Sequence, residues 1–118
     1  MTRSAFDAFC SSLPGAHSVV QWGGASVWKV GGKVFAIGGW SPSAEFAVTF
    51  KASPTSFAML RDQPGVRPAP YLASRGLTWL QRTDARTLSD ADLEAYLRES
   101  WRLVAARLPR KARSELGL

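Results

Sequence analysis

Apolar and polar positions along the chain fall into eight segments in the order α–β–β–β–β–α–β–α. Ala5, Phe6, Phe9, Cys10 and Leu13 recur at three- and four-residue spacing. This predicts a short amphipathic helix over 4–13, capped by Thr2 or Ser4 and ended by Pro14-Gly15. β-prone runs follow at 19–22, 27–30, 34–38 and 46–51, divided by glycine. Gly31-Gly32 predicts a two-residue hairpin, because both central positions of a type I′ turn take positive φ. That turn sets Trp28 against Phe35 and Val30 against Lys33 on one side, and Lys29 against Val34 on the other. In the fourth run Phe46, Val48 and Phe50 alternate with Ala47, Thr49 and Lys51, as in a half-buried antiparallel strand. The large residues mark the core face, and Lys29 and Lys51 the wet face.

Ser53-Pro54 opens a second helix, with serine at the N-cap and proline where its missing N–H costs nothing. It ends near Leu60, before Pro64-Gly65. The stretch 66–71 is neither helix nor central strand, since Pro68 and Pro70 fix φ and remove two donors. A further strand is expected over 77–82. Ser89 caps the last helix, with Asp90 and Asp92 in its first turn, where acidic groups suit the dipole. Leu93, Leu97, Trp101, Val104 and Leu108 form its apolar stripe, and Pro109 ends it. The strand face and this stripe each need the other. An antiparallel sheet packed against the N- and C-terminal helices follows, with Trp28, Phe35, Phe46, Val48, Phe50, Leu97, Trp101 and Val104 buried together.

The chain has 118 residues, 46% apolar and 20% charged, which suits one α+β domain over 1–118 ending in a basic tail at 109–118. Cys10 alone excludes an internal disulfide and a thiolate zinc cluster. No run of 18 apolar residues exists and no signal-peptide core opens the chain, so no membrane partner and a cytoplasmic setting are expected. The charge is the unusual property. Fifteen basic residues against nine acidic give +6. Residues 98–118 carry Arg98, Arg102, Arg107, Arg110, Lys111 and Arg113 against Glu99 and Glu115, an excess of +4. Such a balance is the footprint of a binder of nucleic acid or an anionic surface. Arginines that complement a helix C-terminus and aid solubility are the plainer explanation.

Three segments carry a family resemblance. The first is Leu13-Pro14-Gly15 with Trp22-Gly23 and Val30-Gly31-Gly32-Lys33-Val34-Phe35-Ala36. The second is Gln63-Pro64-Gly65-Val66-Arg67-Pro68-Ala69-Pro70-Tyr71-Leu72. The third is Glu99-Ser100-Trp101-Arg102-Leu103-Val104 with Leu108-Pro109-Arg110-Lys111. In order and spacing they resemble the MmcQ/YjbR family from about residue 3 to 113, with Trp101 where the family usually has tyrosine. The resemblance implies a CyaY-like α+β fold of double-wing type and a DNA-binding protein.

Candidate phosphate contacts are Lys29, Lys33, Lys51, Arg67, Arg75, Arg98, Arg102, Arg110 and Lys111, with Tyr71 beside Arg67 at the stiff Pro-Ala-Pro segment. Glu94, one turn before Arg98, offers that arginine an ordinary surface ion pair. Aromatic rings among basic residues suit base stacking. Trp28 and Trp101 fall on core faces, Trp22 and Trp79 follow no decisive pattern, and Trp40, between glycines and Ser41-Pro42, is placed near a loop. No catalytic constellation emerges. His17 and Cys10 lack an acidic orienter, and the glycine pairs lack the lysine and hydroxyl of a phosphate-cradling loop. The frataxin-like fold raises iron handling, but Asp7 alone is acidic in the first helix, so no metal and no cofactor are expected. The expectation is a non-enzymatic DNA-binding protein with a basic surface and weak sequence preference. The alternative is a protein-interaction or small-anion module whose pocket is lined by Lys33, Lys51, Arg67 and Tyr71. A continuous positive stripe would favour the first, a concave site the second.

Overall fold

In the computed structural model, residues 1–41 and 46–118 are described, leaving aside the side chain of Ser74. The strands are β1 (Ala16–Gln21), β2 (Ala25–Val30), β3 (Lys33–Gly38), β4 (Val48–Lys51), β5 (Val66–Pro68) and β6 (Trp79–Arg82). They form one sheet in the spatial order β1-β2-β3-β4-β6-β5, with every neighbouring pair antiparallel. The helices are α1 (Arg3–Ser11), α2 (Pro54–Leu60), α3 (Asp90–Ala106) and α4 (Arg110–Glu115). Serine and threonine caps start the first three: Thr2, Ser53 and Ser89 each accept an N–H three residues on. The expected α+β layout, with first and last long helices on one sheet face, is what forms.

Residues paired across the sheet share a face. Trp28, Ala36, Val48, Phe50 and Leu80 make the face that meets Phe6 and Cys10 of α1 and Leu93, Leu97 and Val104 of α3. Gly38 is the point of closest approach: a Cβ there would lie 2.5 Å from the Phe6 ring, so only glycine lets α1 down onto β3. Phe46 and Trp101 are half-buried rims of this core rather than its centre. Trp101 instead donates its indole N–H to the Pro14 carbonyl at 2.9 Å. The fully buried position on that turn of α3 is Ser100.

The hairpin turns at Gly31-Gly32 with φ of 57° and 77°, as expected. Its register departs from expectation. Trp28 pairs with Ala36 while Lys29 pairs with Val34, so Phe35 is the extra residue of a bulge. Ser100 Oγ donates to the Phe35 carbonyl at 2.6 Å and accepts the Lys51 N–H at 2.8 Å. A hydroxyl on the helical stripe thus satisfies the backbone groups left at the bulge, which apolar periodicity cannot announce.

Other boundaries move. The first strand covers 16–21 and Trp22 lies in the turn after it, because Gly23 and Gly24 form that turn. The sixth strand begins at Trp79, two residues late. The proline-rich stretch contributes β5, an edge strand, where a missing donor is tolerated. Residues 110–115, read as a tail, form α4, with Ala112 and Leu116 packed against the core.

Candidate functional site

The sheet face turned away from the helices carries Val27, Ile37, Thr49 and Gln81 in one row, all buried. Trp40 and Leu72 lie over its apolar part. Its polar part is organised by Gln81, which is fully buried. Gln81 Nε2 donates to the Trp40 carbonyl at 2.8 Å and to Thr49 Oγ1 at 3.0 Å, while Oε1 accepts from Arg67 Nε at 2.9 Å and from NH2. One amide therefore fixes both the Trp40 backbone and the Arg67 guanidinium. The NH1 group of Arg67 has no hydrogen-bond partner among the described residues.

Above this network lies a cleft of about 340 Å³ lined by Trp22, Trp40, Arg67, Pro70 and Tyr71. Trp40 is the middle of three rings. Its centroid is 5.4 Å from Trp22 at 37° and 5.7 Å from Tyr71 at 33°. Trp22 is 50% exposed and Tyr71 73%. Both hold positive φ, 50° and 66°, and they are the two non-glycine residues that do so among those described. Such backbone costs on the order of 1–3 kcal/mol per residue and persists where the surroundings impose it. The turn after β1 and the Pro-Ala-Pro turn each carry this strain to present an aromatic ring at the same cleft.

The predicted site residues separate into groups. Arg67 and Tyr71 belong to the aromatic cleft. Lys29, half-buried opposite His17 and Val34, shares that sheet face, and exposed Arg75 ends the 3-10 turn that follows Tyr71. Lys33 and Lys51 line a second cleft with Trp79 and Arg107, so the single pocket expected from Lys33, Lys51, Arg67 and Tyr71 divides in two. The cause is length: Lys33 begins β3 and Gly39 follows its end, roughly 20 Å away at strand rise. Arg98 and Arg102 sit on α3, behind the opposite sheet face. Arg98 lies over the Phe9 ring at 5.4 Å rather than pairing with Glu94. Arg102 pairs with Glu99 at 2.9 Å, and that hydrogen bond holds the Glu99 carboxyl below its usual range. Arg110 and Lys111 are exposed on α4. The basic residues thus lie on both sides of the sheet and form no single stripe.

Trp22 and Trp40 are the site residues that periodicity left unassigned. A signal exists: each flanks a glycine pair, Trp22-Gly23-Gly24 and Gly38-Gly39-Trp40, where strands end. Cys10 is buried, and burial followed by the Asp7 charge pushes its thiol far above the usual value. His17 is exposed on β1. No group of three or more His, Cys, Asp or Glu able to hold a metal occurs among the described residues, and no helix among them is long and apolar enough to cross a membrane.

Solved structures share the fold, among them these two. A Deinococcus radiodurans protein with a DUF419 domain superposes with a TM-score of 0.83 at 23% identity, covering 99% of this chain and 88% of that one. A Pseudomonas syringae protein gives 0.69 at 16% identity, covering 88% of this chain and 99% of that one. At these identities the likeness concerns the fold alone. No curated protein matches the chain. The YjbR family model matches residues 11–103, a span from the end of α1 into the second half of α3 that holds the whole sheet and the aromatic cleft. The chain belongs to the YjbR family.

Proposed function

We propose that the protein is a non-enzymatic nucleic-acid-binding module that holds single-stranded segments in the aromatic cleft. Bases stack on the exposed faces of Trp22 and Tyr71, and Arg67 NH1, with Lys29 and Arg75, meets the phosphates. The observation that carries this reading is the ring trio Trp22–Trp40–Tyr71 beside Arg67, with its two outer rings held exposed at positive φ. Stacking platforms next to a few cations hold single strands without strong sequence preference, because every base offers a π-face. The scattered arginines favour this over a duplex laid on a basic stripe, since Arg98 and Arg102 cannot reach a strand held on the opposite sheet face.

Fluorescence anisotropy with labelled oligothymidylate and a labelled duplex tests it. One or two stacked bases, each worth about 1–3 kcal/mol, should favour the single strand by about tenfold or more. With three cations at phosphates the single-strand salt slope should be shallow, roughly −2 on a log–log plot. Equal or tighter duplex binding, or no complex at about 100 μM protein and 0.15 M salt, would overturn the reading.

A further inference from the structure

The second cleft has a chemistry of its own. Gly31 at the hairpin takes φ 57°, and a Cβ there would lie 2.6 Å from Leu108 Cδ1. The absence of that atom seats the β2–β3 turn directly on the C-terminal end of α3. Lys33 follows the turn, Lys51 ends β4 opposite Trp79, and Arg107 caps α3, so three elements bring three cations to one concavity of about 320 Å³. Val34, Trp79, Val104 and Leu108 supply its apolar wall, with Trp79 only 8% exposed. No acidic side chain lines it, and none pairs with Lys33, Lys51 or Arg107 among the described residues. The negative end of the α3 dipole supplies only about half a unit of charge against the three cations. Partial burial, and next the Arg107 charge, lower the Lys51 pKa, and the second of these causes reflects the nearness of Arg107 to Lys51.

We infer that this cleft binds an organic phosphate monoester, its dianionic group held by Lys33, Lys51 and Arg107 and its apolar body laid against Trp79 and Leu108. The dianion follows from the charge count, since it offsets most of three uncompensated cations where a carboxylate offsets one. The apolar body follows from the wall. The site lies at the other end of β3 from the aromatic cleft and does not depend on nucleic-acid binding there.

Calorimetric titration of the full chain with 1-naphthyl phosphate, 1-naphthoate and inorganic phosphate tests both parts. The ester is expected to saturate one site and to bind several-fold more tightly than either fragment. Lys33→Ala and Arg107→Ala, both at exposed positions, should each weaken it by about tenfold or more, as loss of a charged hydrogen-bond donor does. Arg61→Ala removes an equal charge outside the cleft and should leave it unchanged. Naphthoate binding as tightly as the ester would overturn the dianion assignment, and inorganic phosphate doing so would overturn the apolar wall. Absence of saturation, or affinities untouched by Lys33→Ala and Arg107→Ala, would remove the site altogether.

Discussion

The two faces of the sheet employ aromatic residues for opposite ends. On the helix-covered face Phe6, Phe35 and Phe50 are fully buried, and the indoles of Trp28 and Trp101 donate to Asp7 Oδ1 and the Pro14 carbonyl, each at 2.9 Å. Their polar handles are satisfied, with Trp28 removed from water and Trp101 half-buried at the rim. On the other face Trp22 and Tyr71 stand at 50% and 73% exposure on positive-φ backbone. Exposed apolar rings contribute little to folding, and left-handed backbone opposes it. The first face stabilises the protein, and the second spends part of that stability to present a site.

Substitutions can break this contrast at graded cost. Phe50→Ala, in the centre of the helix-covered face, should lower unfolding free energy by about 3–5 kcal/mol in urea melts. A loss under about 1 kcal/mol would place the stability elsewhere. Gln81→Leu comes next. It keeps the volume but leaves Arg67, Thr49 Oγ1 and the Trp40 carbonyl without their partner, at about 2–3 kcal/mol. Because Gln81 fixes both Trp40 and Arg67, this is the one core change expected to weaken oligonucleotide binding as well.

Trp101→Phe retains a ring and loses the N–H bond to Pro14, for about 1 kcal/mol. Trp22→Gly and Tyr71→Gly relieve the backbone while removing exposed rings. Each should change stability by less than about 1 kcal/mol in either direction. Destabilisation like that of Phe50→Ala would mean these rings are core.

The smallest effect is at low pH on the helix side. The hydrogen bond from Arg82 holds the Asp90 carboxyl below its usual range. A lowered folded-state pKa gives stability that is present above the ordinary aspartate value, near ~4, and is lost as pH falls through the lowered one. Asp90→Asn should therefore lower stability slightly at neutral pH, flatten the acid limb below about pH 4, and leave stability unchanged at pH below the lowered pKa. Asp90 is exposed, so the change should be slight.

How far the sequence foretells these faces depends on what repeats. The strand alternation of Phe46, Val48 and Phe50, the α3 stripe and the Gly31-Gly32 turn are periodic or local signals, and they place the sheet and its helices. The bulge at Phe35 is not local. It is stabilised by Ser100, 65 residues away, whose hydroxyl looks like an interruption of the stripe. The aromatic cleft draws on two turns, the end of β3 and a buried glutamine, from four separate segments. Arg67 and Tyr71 stood out by their place in the Pro-Ala-Pro segment, whereas Trp22 and Trp40 join them only once β1-β2-β3-β4-β6-β5 is the strand order. Net charge misled in one respect. A +6 total says nothing about where the charges stand, and here the sheet separates them.

The central claim is that Trp22 and Tyr71 are held exposed to stack on a ligand. Titrating labelled oligothymidylate into the Trp22→Ala/Tyr71→Ala double variant, alongside a urea melt of the same sample, tests it most directly. The account predicts a stability within about 1 kcal/mol of the parent and an affinity lowered by about tenfold to a thousandfold, one to two stacked bases' worth. An unchanged affinity in the folded double variant would contradict it.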